Sequence, residues 1–398
     1  MARINDMERK KILDGIYWVG AVDWDRRLFD SLIPLPDGTS YNSYLVCGSE
    51  KTALLDTVDP GKAEILMSRL DGIKDIHYVI SHHAEQDHSG TLPRVLAKYG
   101  DARVIASPKG KELLLDHLDI AESRIVTVAD GEVLSLGDRT LQFLHTPWVH
   151  WPETMSTYVP ESKILFTCDM FGSHLAFSDP FVTDDGKVCE AAMRYYAEVM
   201  MPFRLTLLKH IERFEKLKVD FIAPGHGPVY RHPERIVKIH GEWASGRLAN
   251  RVSIAYATMH GSTELMIDHL AAALEKEGVN VDRFNLAVTD MGKLAMSLID
   301  AATMVIGSPT ILSGAHPLAI SAAFIANSLR PKVRFASVVG SYGWGGKMAE
   351  QISAAISNLK VEMLGNVVAK GKPGEADLQA LHGLASRVAG KHRENNIL

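Results

Sequence analysis

Cysteine is scarce in this chain: its 398 residues include three, Cys47, Cys168 and Cys189, and no two of them stand as C-x-x-C. An odd count without paired spacing argues against a disulfide framework and against a cysteine-bound iron centre. A thiolate-bound redox partner is therefore expected to be a separate protein. Long apolar runs are also missing. No stretch approaches the ~20 residues that cross a bilayer, and the opening M-A-R-I-N-D-M-E-R-K-K has no apolar core of the signal-peptide kind. Positive charge is not in excess either, because 43 Lys and Arg against 48 Asp and Glu leave a net charge of -5. That balance gives no electrostatic footprint for nucleic acid or an anionic membrane. The expectation is a cytoplasmic protein that binds neither. With 46% apolar and 23% charged residues the composition is that of an ordinary globular chain, long enough for two domains.

Against these absences stands one dense stretch, S-H-H-A-E-Q-D-H-S-G from Ser81 to Gly90, with four side chains able to ligate a metal: His83, Glu85, Asp87 and His88. His77 to Ile80 before it suits a buried strand, and Thr91 to Tyr99 after it reads as a helix. The four therefore sit on a loop leaving the C-terminal end of a strand, where a rigid support can aim side chains. A charged, His-rich turn is most often only solvated surface. Four ligand types at positions 1, 3, 5 and 6 of one hexapeptide reverse that reading. His82 falls off the alternation and is expected to pack or hydrogen-bond locally.

The same grammar recurs further along. P-W-V-H-W-P, Pro147 to Pro152, presents His150 on a rigid aromatic loop, although a His between two tryptophans is, taken alone, more often packed than ligating. Asp169 follows the apolar run Ile164 to Thr167, and His226 sits in the turn P-G-H-G-P after Phe221 to Ala223. Pure His and Cys sets lean to zinc, whereas three carboxylates among four histidines favour iron. Asp59 and Gly61 read as turn formers. The amphipathic segment Cys189 to Val219 is expected to bury Leu205, Leu208, Ile211 and Phe214. The aperiodic run W-A-S-G-R-L-A-N-R, 243–251, is expected to join two domains, 1–250 and 251–398.

From Val252 onward strands and helices alternate: strands at 252–256, 284–288, 304–307 and 333–339, helices at 263–276, 293–301, 317–329 and 345–358. This predicts a doubly wound parallel sheet, with ligands bound beyond the strands' C-terminal ends. Three polar or glycine-rich loops lie there: Thr258-Met259-His260-Gly261-Ser262-Thr263 ahead of a helix, Ser308-Pro309-Thr310, and Gly340 to Gly346, which contains Ser341, Tyr342, Gly343, Trp344 and Gly345. Backbone N–H groups and hydroxyls at a helix start suit phosphate, and the aromatics suit a flat ring. The loops are not G-x-G-x-x-G, so a flavin mononucleotide is preferred over a dinucleotide.

These residues together resemble the flavodiiron proteins over essentially the whole chain. The resemblance implies an α/β protein: a metallo-β-lactamase-like αββα sandwich followed by a flavodoxin-like domain. In the wider lactamase-like superfamily the metal loop reads H-x-H-x-D-H and binds zinc; Glu85 at the third position is the flavodiiron pattern. By resemblance one iron takes His83, Glu85 and His150, the other takes Asp87, His88 and His226, and Asp169 bridges them. His174, in F-G-S-H, reads either as a group just behind the ligands or as a local structural hydrogen-bonding residue. T-M-H-G-S-T resembles the family's flavin-phosphate loop, with His260 where Tyr or Trp is expected, and G-S-Y-G-W-G-G its third flavin loop.

The resemblance further implies two irons and one FMN, O2 or NO as substrate, and an external electron donor, rubredoxin or alternatively a reduced deazaflavin. It implies a head-to-tail homodimer, or a dimer of such dimers. Asp30 and Leu32 stand where the family often has a pocket His and Tyr. A zinc-dependent hydrolase on the same scaffold is the rival reading, and a non-enzymatic flavin and metal redox sensor a third.

Overall fold

Strands Met155–Val159 and Ile164–Cys168 are buried at every position, the mark of strands covered on both faces. They lie within one of two sheets that face each other. The computed structural model describes residues 8–398; positions 1–7 of the N-terminal segment lie outside the described residues. Contacts divide the chain into two units, one running to Tyr196 and including Phe203–Ala244, the other Ala197–Pro202 and Ser245–Leu398.

In the first unit a seven-stranded sheet runs in the order Lys10–Leu13, Ile16–Trp18, Tyr44–Cys47, Thr52–Leu55, Tyr78–Ile80, Arg103–Ala106, Ile125–Thr127. A six-stranded sheet runs Val133–Ser135, Thr140–His145, Met155–Val159, Ile164–Cys168, Phe221–Pro224, Tyr230–Arg231. Trp18, Phe143 and Phe166 belong to one apolar cluster drawn from both sheets. A second cluster packs the first sheet against helices Ala63–Arg69, Leu92–Lys98 and Pro108–His117. This is the αββα, metallo-β-lactamase-like sandwich.

Two parallel pairings place the site. Leu55 pairs with Ile80, and Cys168 pairs with Pro224, so the segments after those four residues leave their sheets at matching ends. The register shifts between Phe166 and Cys168, and Cys168 takes φ 51°. Left-handed backbone costs a non-glycine residue about 1–2 kcal/mol. Burying Phe143 or Phe166 contributes about 1.5–3 kcal/mol each, so the core readily holds the bend that turns Asp169 inward.

In the second unit the sheet order is Asn280–Asn285, Ala249–Tyr256, Ala301–Ile311, Phe335–Tyr342, Glu362–Lys370, all parallel. That is the doubly wound flavodoxin-like order, 2-1-3-4-5. Helices Ser262–Lys276 and Glu375–Glu394 cover one face, and Met291–Ser297, Pro317–Leu329 and Met348–Ala355 the other. Among the described residues no helix is long and apolar enough to cross a membrane.

Several expectations need correction. The strand expected at 284–288 is Asn280–Asn285, and the helix expected at 293–301 is Met291–Ser297. Strand Glu362–Lys370 and helix Glu375–Glu394 were not foreseen. The segment 189–219 is not one regular α-helix: Asp185–Tyr195 passes into a π-helical turn, Tyr196–Met200, then a 3-10 turn, Met201–Phe203, that contains Pro202, and Arg204–Phe214 follows in a new register. The new register buries Leu207, Ile211 and Phe214 but leaves Leu205 62% exposed and Leu208 half-buried.

Candidate metal centre and flavin loops

The loop after Tyr78–Ile80 is held from both sides. Asp56 Oδ1 accepts from the His82 amide at 2.8 Å, and Asp56 Oδ2 accepts from His82 Nδ1 at 2.6 Å. His82 Nε2 meets the Thr157 hydroxyl at 2.7 Å, so His82 is a local tether, as its place in the sequence implied. With the loop fixed, the short helix Gln86–Ser89 carries Asp87 and His88, which group with His226 rather than with His83. His150 enters from the loop between strands Thr140–His145 and Met155–Val159.

Seven side chains from four separate segments converge. His83, Glu85, His150 and Asp169 form one group whose potential ligand atoms lie within 4.8 Å of one another, and Asp87, His88 and His226 form another. Asp169 divides its oxygens between them. Its Oδ2 lies 3.4 Å from His83 Nε2 and 3.5 Å from His150 Nε2. Its Oδ1 lies 3.1 Å from His88 Nε2 and 3.5 Å from His226 Nε2. Glu85 Oε2 is 3.0 Å from His83 Nε2 and 3.2 Å from His150 Nε2, while Asp87 Oδ2 is 3.2 Å from His226 Nε2.

Backbone economy permits this crowding. A Cβ on Gly225 would meet His88 Cε1 at 2.8 Å, so only glycine lets that ring sit beside the turn. Gly227 takes φ 82°, and a Cβ there would strike Ser173 Oγ at 2.0 Å. Asn42 braces the turn by donating to the carbonyls of Pro224 at 2.8 Å and Gly227 at 2.6 Å.

Burial opposes the charge of Asp169, but the imidazoles of His88, His83 and His150 outweigh it and hold the carboxyl well below its usual range. Glu85 is likewise buried, and hydrogen bonds from His150 and His83 hold it far down. For His83 burial disfavours the proton, yet Glu153, Glu85 and Asp169 push it up to about 10. The rings thus answer a buried anionic cluster. Among the described residues, no hydrogen bond of good geometry reaches any of the four buried oxygens of Asp87 and Asp169. Buried carboxylates left so are what cations satisfy, and three carboxylates with four imidazoles fit two iron ions.

A cleft of about 260 Å³ leads to Glu85 and Asp87 past Arg26, Asp30, His117 and Trp151. Asp30 lines it; burial, then the charges of Glu85 and Asp87, raise its carboxyl above the ordinary value. Leu32 does not line it and is 63% exposed. His174 packs 4.8 Å from the His226 ring and takes the Thr39 hydroxyl at 2.9 Å on Nδ1; among the described residues its buried Nε2 has no hydrogen-bond partner. Sequence reasoning missed Glu153, which accepts from His83 Nδ1 at 2.6 Å, and Tyr195, whose phenol burial and Asp169 push well above its ordinary range. Neither carries a local motif, though Glu153 lies three residues after His150.

In the second unit the three expected loops meet at one sheet edge, with a change of form. Ser308, Pro309 and Thr310 lie inside the strand Ala301–Ile311, which hairpins back through Gly314–Ala315. They form no loop of their own. Ser341 and Tyr342 end the neighbouring strand, and a Cβ on Gly340 would meet the Ser308 carbonyl at 2.0 Å. Gly261, at φ 84°, caps the 15-residue helix Ser262–Lys276, whose first N–H groups lack helical acceptors. Thr263 is buried, 3.4 Å from the Ser341 hydroxyl. Met259 is 46% and Trp344 87% exposed, a large apolar ring left open beside this cradle. Hydroxyls, a helix start and an open aromatic fit a flavin phosphate and ring.

Comparison with known proteins agrees with both folds. Residues 39–227 match the family model described as ODP family beta lactamase, and residues 254–383 match Flavodoxin. The chain is 35% identical over 391 residues to the nitric oxide reductase of Moorella thermoacetica, covering 96% of this chain and 98% of that one. It is 32% identical over 399 residues to the coenzyme F420H(2) oxidase of Methanothermobacter marburgensis, covering 95% and 98%. The chain belongs to the flavodiiron protein family. Among solved flavodiiron structures, the rubredoxin oxygen:oxidoreductase of Desulfovibrio gigas superposes with TM-score 0.94 at 30% identity, covering 98% of this chain and all of that one. The flavodiiron protein of Giardia intestinalis superposes at 0.89 and 26% identity, covering 97% and 98%. As a flavodiiron protein the chain is an oxidoreductase with a diiron centre and FMN that reduces O2 or NO, and a zinc hydrolase is not favoured.

Proposed function

We propose that residues 1–250 hold the iron pair and residues 251–398 the FMN. One iron would be held by His83, Glu85 and His150, the other by Asp87, His88 and His226, with Asp169 shared. The division of the two Asp169 oxygens between two histidine groups carries this reading. FMN would lie over Thr258–Thr263, Ser308–Thr310 and Ser341–Gly345.

Bound iron supplies the redox chemistry and bound FMN relays the electrons. The chain's own residues do the rest. Three carboxylates offset metal charge inside a buried site, which favours cations there over a neutral pocket. The cleft beside Asp30 admits small molecules to Glu85 and Asp87. Trp151, edge-on to His83 at 4.9 Å, closes that side of the ring to water. His174 and Tyr195 pack against His226 and keep its ring oriented. Substrate is O2, taken to water with four electrons, or two NO, taken to N2O and water with two.

The donor is a separate rubredoxin or a reduced deazaflavin, in line with the names of the relatives above. A head-to-tail homodimer, alone or paired with another dimer, would set the FMN held by one copy near the irons held by a second. A cytoplasmic setting belongs to the same reading, supported by three free cysteines. Steady-state assays with each donor, supplying O2 or NO, test it. Donor consumption at four electrons per O2 or one per NO supports the reading; no consumption with either sinks it, and full turnover by monomer sinks the dimer.

A further inference from the structure

Three ligand histidines meet a partner on the ring nitrogen facing away from the centre, and the partners differ. His226 Nδ1 donates to the neutral carbonyl of Ser40 at 2.7 Å. His88 Nδ1 meets the Cys168 sulfur at 3.7 Å. His83 Nδ1 donates to the Glu153 carboxylate at 2.6 Å, the shortest contact and the one charged partner of the three.

Glu153 is 2% exposed and is fixed at both ends. Its Oε1 also accepts from the Ala84 amide at 3.0 Å. Its backbone carbonyl accepts from the hydroxyl of Ser107, the residue capping helix Pro108–His117, at 2.7 Å. Its Oε2 has no hydrogen-bond partner among the described residues. A carboxylate buried at this cost is poorly explained by stability, since an apolar side chain would fill the space more cheaply. It does have a geometric consequence. An ionised carboxylate only accepts, so the proton of a neutral His83 sits on Nδ1 and the Nε2 lone pair points at the space between Glu85 and Asp169, 3.0 Å and 3.4 Å away. The negative charge behind the ring also strengthens it as a metal donor.

We propose that Glu153 is the positioning residue for one half of the centre: it locks His83 with its proton on Nδ1, and it makes the metal at His83, Glu85 and His150 the more tightly held of the pair. The inference rests on the ligand assignment proposed above, and the test separates the two. Metal-depleted full-length protein is titrated anaerobically with Fe(II) against a competing chelator, as wild type, Glu153→Gln and Glu153→Asp. The wild type takes up iron in two steps. In Glu153→Gln the tighter step weakens about 10- to 100-fold, the other step and the FMN content hold, and Glu153→Asp recovers part of the loss. Equal weakening of both steps, or of neither, overturns the role of Glu153. A wild type without two steps overturns the ligand assignment, and this inference with it.

Should Glu153→Gln fail to fold, nitrogen-15 spectra of histidine-labelled wild type loaded with Zn(II), a diamagnetic stand-in, decide the matter. A His83 proton on Nδ1 in slow exchange supports the proposal. A His83 bonded to metal through Nδ1 contradicts it.

Discussion

Cys168 and Pro224 are register partners on neighbouring parallel strands, although 55 residues lie between them (169 to 223). Asp169 and His226 leave those strands one and two residues later, and both enter the same buried cluster.

The shared carboxylate gives the first prediction. Asp169 faces both histidine groups, so Asp169→Ala removes a donor from each half at once. Both irons are lost, activity falls to background, and the flavin absorption band stays. Metal analysis beside the visible spectrum checks this; retention of one iron would show that Asp169 serves a single site.

Thr263 supplies the reciprocal case. Its hydroxyl is buried near Ser341, where the flavin phosphate is proposed to sit. Thr263→Val keeps the shape and removes a hydrogen bond to a charged group, worth about 1.5–3 kcal/mol. FMN affinity should fall at least tenfold by fluorescence titration while iron content is unchanged.

Trp344 separates binding from folding. At 87% exposure its ring contributes little to the folded chain. Trp344→Ala should shift stability of the FMN-free protein by no more than about 0.5 kcal/mol in urea, yet weaken FMN binding. A stability loss without a binding loss would place the ring against protein.

Acid sensitivity has an assignable contributor away from the ligands. Burial of His240 among Phe171, Tyr196 and Trp243 lowers its pKa to about 4, and Nδ1 donates to the Ile236 carbonyl at 2.9 Å. The unfolded chain takes up this proton first, near 6.5, so stability is full above about 6.5 and declines as pH falls towards 4. The span is worth up to about 3 kcal/mol. His240→Phe should flatten the urea midpoint between those pH values; an unchanged slope would clear His240.

Much of this was legible because the chemistry follows strand ends. Ile80, Cys168 and Pro224 each close a buried run, and a ligand-bearing turn follows each directly, so local sequence announced the groups the fold would join. Glu153 and Tyr195 gave no such signal, since their roles exist only once distant segments meet. Pro202 is the one local sign of the irregular turns over Tyr196–Phe203, after which Leu207 rather than Leu205 is buried. Strand Glu362–Lys370 escaped because it lies at the sheet edge, where exposure breaks its alternation and Gly365 takes φ 103°. Its helix, Glu375–Glu394, contains Gly383 and Gly390, which weaken the local helical pattern.

Protein purified without air, then analysed for iron, zinc and flavin with an absorption spectrum, tests the central claim most directly. The account predicts close to two irons and one FMN per chain. Two zinc ions and no flavin would contradict it.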